Sequence, residues 1–314
     1  MICTITVEEM SRSVEKQNNT MLCASCGIAG AGGDDIKLKK CGSCDLVRYC
    51  SDECQDDHLP QHEEECKKRA AELRDKLLFR QPENSHLGDC PLCCLPLPID
   101  EKQCILASCC SNTICNGCDY ANQKREVKGR IQPKCAFCRK DLPHTDKEAN
   151  ERVMKRIEAN DPVAMCSMGM QRYLERDYET AFEYWTRAAS LGDIKAHYQL
   201  SCLYDDGQFV EKDEKKLCHH LTEAAIGGHP EARHILGCVE GRNGRVDRAV
   251  KHIIISAQLG YDQSLQKLKD LYKAGHVSKE DLTAALRGHY AAIAATKSAQ
   301  REEAAEEDLP SWAL

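Results

Sequence analysis

The sequence predicts small metal-stabilised α+β fingers followed by an all-α solenoid of helix pairs. Three observations predict it. Cysteines crowd the first half: of 22 in 314 residues, 18 fall within 1–138. There they come in short pairs, spaced as metal ligands are. Beyond residue 161 a small apolar signature recurs at offsets of 32, 36 and 32 residues, a period that marks stacked helix pairs.

Composition narrows the function. The net charge is −7 and aromatics are 5% of the chain. An acidic chain is a poor match for nucleic acid, whose binding leans on Lys and Arg against phosphate. No apolar run reaches the roughly 18 residues a membrane span needs. Met1 to Val7 is too short for a signal-peptide core and is followed by acids, so an intracellular chain is expected, in cytoplasm or nucleus. Disulfides are rare there, which leaves metal binding or core packing as the use of so many thiols. The short basic runs Lys37–Lys40 and Lys67–Arg69 read as solvated faces.

The first cluster reads Cys23-x2-Cys26, Cys41-x2-Cys44, Cys50-x3-Cys54 and His62-x3-Cys66. Eight ligands suffice for two tetrahedral zinc ions. In a C-x2-C knuckle both sulfurs turn to one ion while intervening backbone N–H groups face the thiolates. A spacing of four puts Cys50 with Cys54, and His62 with Cys66, on one helix face. Ser51 to Lys68 reads as two short helical turns interrupted near Pro60, and His58 as a solvated helix residue outside the ligand set. The stretch has too few apolar residues to fold without metal.

The run Arg48-Tyr49-Cys50-Ser51-Asp52-Glu53-Cys54-Gln55, with His58, His62 and Cys66, closely resembles the MYND-type zinc finger over residues 23–66. The resemblance implies interleaved sites: Cys23, Cys26, Cys50 and Cys54 on one ion; Cys41, Cys44, His62 and Cys66 on the other. It also implies a shallow groove for proline-rich peptides, with Leu59 where the family usually carries Trp.

The second cluster holds Cys90-x2-Cys93, Cys104, Cys109, Cys110, Cys115-x2-Cys118 and Cys135-x2-Cys138. Its order resembles a RING finger over residues 90–139, and that resemblance implies one ion on Cys90, Cys93, Cys115 and Cys118. Cys110, Cys135 and Cys138 belong to a second ion. The family's next ligand position is Asn112, a poor zinc ligand, so the fourth falls to the adjacent Cys109, with Cys104 the next option. One or two ions are therefore expected in this finger. Cys94 reads as a bystander. Many RING fingers recruit a ubiquitin-conjugating enzyme. Leu92 occupies the place of the apolar residue that packs on that enzyme, and Arg139 that of the cation supporting the ubiquitin thioester complex. Ala136 replaces the family's Pro after the seventh ligand.

The repeat signature is Ala164-x3-Met168-Gly169, Ala196-x3-Leu200-Ser201, Ala232-x3-Leu236-Gly237 and Ser264-x3-Leu268-Lys269. Ala188-Ala189-x2-Gly192, Ala224-Ala225-x2-Gly228 and Ser256-Ala257-x2-Gly260 follow in the first three units. Small residues let helices approach closely, and each closing Gly suits a helix C-terminus. The pattern resembles Sel1-like repeats, relatives of the tetratricopeptide type. Such solenoids bind partner proteins. The extra four residues of the second unit are expected around Asp205–Asp213. Cys166, Cys202, Cys218 and Cys238 read as small apolar helix residues, and Phe182, Tyr184 and Trp185 as packing between helices. His219, His220, His229, His234 and His252 read as solvated or groove-lining.

The expected layout is an N-terminal tail (1–22), the first finger (23–66), a helical linker (67–89) amphipathic through Ala70, Leu73, Leu77 and Leu78, and the second finger (90–139). A linker helix (140–160), the repeats (161–296) and a frayed acidic tail (297–314) follow. It implies a zinc-binding adaptor for proteins or peptides. A RING-type ubiquitin ligase acting by positioning is one form of it. A non-catalytic scaffold or a transcriptional regulator is the other. The zinc is structural, since complete ligand sets leave no open position. Modular folding predicts that chelation unfolds 23–138 and spares the helices of 161–296.

Overall fold

The computed structural model of the chain describes residues 22–28 and 37–306. Most of the N-terminal tail, and Glu307 and Asp308 of the acidic tail, lie outside them. The chain forms two compact units, residues 1–77 and 78–314.

In the first unit an antiparallel two-stranded ribbon pairs β1 (Lys39–Lys40) with β2 (Arg48–Tyr49), and α1 (Asp52–Leu78) follows. Its small core consists of Cys23, Cys41, Cys44 and Cys66 around Tyr49. Helix α1 is continuous for 27 residues and carries Pro60 in its interior, where a break was expected. Pro60 and the Asp56 whose carbonyl loses its partner are both exposed, so that carbonyl is open to solvent rather than buried unpaired. Of the expected apolar stripe only Leu78 is fully buried; Leu77 is exposed.

The second unit opens with another ribbon, β3 (Cys104–Leu106) against β4 (Thr113–Cys115), leading into α2 (Asn116–Gly129). Cys90, Cys115 and Cys118 pack here with Leu97 and Ile114. Helix α3 (Asp146–Glu158) starts at Thr145, whose side chain accepts from the Glu148 N–H while the Glu148 carboxylate accepts from the His144 N–H. This is a reciprocal cap one residue removed from the usual box.

Then come four helix pairs: α4 (Pro162–Leu174) with α5 (Tyr178–Ser190), α6 (Ile194–Asp206) with α7 (Glu214–Ile226), α8 (Pro230–Arg242) with α9 (Val246–Gln258), and α10 (Asp262–Lys273) with α11 (Lys279–Ala295). The aligned small residues Ala164, Ala196, Ala232 and Ser264 are all buried, as are Met168, Leu200, Leu236 and Leu268. Gly192, Gly228 and Gly260 close their units at φ of 87°, 86° and 95°, a left-handed turn that side chains resist. The extra residues of the second unit sit between α6 and α7, in 207–213.

One expectation fails beyond the repeats. The acidic tail is not frayed through Glu306: α12 (Ala299–Glu306) is a helix lying against α2. Residues 82–139 also contact the helices that follow. Gln300 Nε2 donates to the Gly117 carbonyl at 2.9 Å, Lys195 pairs with Glu101 at 2.8 Å, and His86 stacks on His229 at 4.2 Å.

No helix among the described residues is long and apolar enough to cross a membrane.

Candidate metal centres

Among the described residues, four tetrads of ligand-type side chains come together, each with all its donor atoms within 4.8 Å of one another. They are Cys23, Cys26, Cys50 and Cys54; Cys41, Cys44, His62 and Cys66; Cys90, Cys93, Cys115 and Cys118; and Cys109, Cys110, Cys135 and Cys138. Zn–S bonds of about 2.3 Å put tetrahedral sulfurs about 3.8 Å apart. Across the tetrads, Cys26 and Cys54 sulfurs each lie 3.5 Å from that of Cys50, Cys41 and Cys66 are 3.7 Å apart, Cys90 and Cys118 3.9 Å, Cys93 and Cys115 3.8 Å, Cys109 and Cys138 3.3 Å, and Cys110 and Cys135 4.0 Å. The donor sets therefore fit zinc.

Local structure explains each placement. His62 and Cys66 share one face of α1, as their spacing requires. Cys50 does not lie on that helix: it ends the ribbon, and Cys54 enters from the first helical turn. In the last tetrad the adjacent pair Cys109–Cys110 is made possible by a tight turn. The N–H groups of Cys110 and Ser111 both donate to the Ala107 carbonyl, at 3.2 and 2.8 Å, and Ser111 takes a φ of 55°. Asn112 points its amide at the Cys110 carbonyl instead. Cys104 stands outside the tetrads, its sulfur 3.7 Å from the Pro98 carbonyl. Burial pushes that thiol up to about 12.

Electrostatics show why a cation belongs here. Backbone N–H groups, that of Cys26 foremost, hold the Cys23 thiol down to about 6, while the neighbouring Cys26 and Cys54 thiols push Cys50 up to about 12. In the second finger burial raises Cys90, but N–H groups led by that of Cys115 outweigh it and bring the thiol to about 7. Four thiols so crowded cannot all ionise unless a central cation offsets their repulsion. Arg301 adds a peripheral charge: its Nη2 donates to Cys93 Sγ at 3.3 Å and to the Leu95 carbonyl at 3.2 Å, and its Nη1 to the Pro96 carbonyl at 2.7 Å. No sequence signal near Arg301 announces this role.

Residues read as peripheral prove structured. His58 is half-buried, with its Nδ1 3.1 Å from Tyr49 Oη and its ring stacked on His62. His229 and His252 are buried rather than solvated: the first caps α8 through the Ala232 N–H, the second packs on Phe79. Leu92 and Phe137, each 40% exposed, sit within the second finger's knuckles. Arg139 is held by Asn122 Oδ1 at 2.7 Å and Glu126 Oε1 at 3.4 Å, both from α2.

Paired tetrads of metal-ligand side chains in a small finger, together with stacked helix pairs, define a zinc-finger protein with a helical-repeat domain. The MYND finger model matches residues 23–66, and the Sel1 repeat model matches 162–193 and 194–229. Both are protein-interaction modules, and the chain is a zinc-binding interaction adaptor of that kind. Among solved structures it is similar to a Sel1 repeat protein from Oxalobacter formigenes, at 21% identity and a TM-score of 0.42, over 50% of this chain and 68% of that one. It is also similar to c5321, a protective antigen present in uropathogenic Escherichia coli strains displaying an SLR fold. There the identity is 15% and the TM-score 0.32, over 52% of this chain and 48% of that one. No curated protein matches the chain.

Proposed function

We propose that the chain holds four structural zinc ions, one in each tetrad, and that its second finger recruits a ubiquitin-conjugating enzyme while the MYND finger and repeats hold client proteins. The observation that carries the ligase reading is Leu92: between two ligands of one centre, it stays 40% exposed instead of joining the core. An apolar side chain raised on a rigid metal knuckle is a ready contact for a partner. The chain would supply no nucleophile; it would raise the rate by positioning the charged partner beside the client. Thiolate ligands suit a reducing intracellular compartment, cytoplasmic or nuclear.

A second reading, a non-catalytic scaffold, is favoured by Arg139, whose guanidinium is already engaged by Asn122 and Glu126. Autoubiquitylation separates the two. A ligase gives chains that Leu92→Ala and Arg139→Ala abolish, and a scaffold gives none with any conjugating enzyme. Elemental analysis tests the metal scheme: four zinc ions per chain, four still in Cys104→Ser, three in Cys109→Ser.

A further inference from the structure

A cleft of about 890 Å³ opens in the second unit where the loop 81–85, residues 96–103 of the second finger, the turn between α9 and α10, and the end of α11 with α12 converge. Its volume is in the range of built binding sites. Leu97, Ile99, Leu259 and Ile293 give it apolar walls. Its charge is one-sided: Glu83, Asp100, Glu101, Glu231, Asp262 and Glu302 line it, against the cations Lys297 and Arg301. Arg301 is committed to Cys93 and the carbonyls of Leu95 and Pro96. Lys195 pairs with Glu101, and His289 Nε2 lies 3.1 Å from Asp262 Oδ1. Glu83 and Glu302 have no ion-pair partner among the described residues, and both are exposed.

We propose that this cleft docks an extended basic segment of a partner protein, its Lys or Arg side chains on the carboxylate rim and an apolar side chain between them. The proposal rests on the adaptor reading and not on the ligase reading. Charge complementarity selects the occupant. Carboxylates gathered in a concave, partly apolar site focus a negative potential that attracts cations and repels acidic chains. The chain's own ends are poor candidates. Residues 307–314 carry Glu307 and Asp308 with no Lys or Arg, and residues 1–21 hold three Glu against Arg12 and Lys16. A second copy brings a net charge of −7 to an acidic cleft.

The test uses the full-length, zinc-loaded protein and a short fluorescent peptide alternating lysine with leucine, followed by anisotropy. The paired change Glu83→Lys and Glu302→Lys is expected to weaken binding at least tenfold. The pair Glu183→Lys and Asp206→Lys makes the same change in net charge on exposed helix positions outside the cleft, and is expected to weaken it less than twofold. Raising sodium chloride to about 0.5 M is expected to weaken wild-type binding at least tenfold. Equal losses in both pairs would reduce the effect to bulk charge and overturn the proposal. So would absence of wild-type binding, or a concentration-dependent dimer that the peptide displaces. Unchanged circular dichroism of the cleft pair excludes misfolding. Ubiquitin transfer by the same cleft variant reports on the ligase reading separately.

Discussion

The ring of Trp185 lies against Gly169 so closely that a methyl group on the glycine would come within 2.6 Å of the indole nitrogen. That nitrogen donates to the Cys166 carbonyl at 3.2 Å, one turn before the glycine on α4. Backbone of one helix and aromatic face of the next are thus in contact with nothing between. The indole fills the place a side chain on α4 would take, and the first repeat is built on this pair.

Trp185→Ala is expected to cost about 3–5 kcal/mol, the usual range for a buried aromatic. Gly169→Ala is expected to cost about 1–3 kcal/mol by overpacking. The double variant should cost less than the two together, because the smaller side chain removes the clash. Urea unfolding followed at the helical signal measures all three. Strict additivity would show that the two residues do not meet.

Zinc removal is expected to weaken the repeats as well as the fingers. The sequence suggests independent modules, but Arg301, Gln300 and Lys195 bind the second finger to the helical array. Adding a strong chelator should lower the melting temperature of the helical signal. Arg301→Gln, in zinc-loaded protein, should cost about 1 kcal/mol, since it leaves the half-buried carbonyls of Leu95 and Pro96 without their donor. A melting curve untouched by chelator would restore modular folding.

Acid should destabilise the second unit well above the range where carboxylates titrate. Burial, aided by the charge of Lys195, pushes His86 down to about 3, against about 6.5 when unfolded. A depressed histidine contributes its full stability above the unfolded value and loses it as pH falls toward the folded one. The loss is about 1.4 kcal/mol per pH unit. Between pH 7.5 and 5.5 His86 alone should remove about 1.4 kcal/mol. Neither of its ring nitrogens has a hydrogen-bond partner, so His86→Phe should keep the stack on His229 and flatten the dependence. Urea unfolding in zinc-supplemented buffer at the two pH values reads it. An unchanged slope in the variant would assign the effect elsewhere.

The pair Tyr49 and His58 offers a local test of the first finger. Tyr49→Phe removes the partner of His58 Nδ1 and should cost about 1 kcal/mol while leaving the zinc content unchanged. Loss of metal in that variant would show that His58 supports the His62 centre through its stacked ring.

What could be read from the residues alone was whatever local chemistry dictates. Ligand spacing grouped the thiols of each finger because geometry within a knuckle is set by a few bonds. The repeat was legible because Ala164, Ala196, Ala232 and Ser264 each meet the same crowding. Contacts between distant segments left no such mark. Nothing around Arg301 announces that it reaches Cys93, and Pro60 argued for a helix break that an exposed carbonyl makes unnecessary. The choice of Cys109 over Cys104 turned on a single tight turn at Ala107–Ser111, which spacing alone does not specify.

Arg301 stands 208 residues downstream of the cysteine it braces. During synthesis at roughly 5–20 residues per second, about 10–40 seconds pass between the two emerging from the ribosome. Over that interval the Cys93 sulfur lacks the guanidinium that donates to it in the finished chain, and a product truncated before Arg301 never acquires that donor.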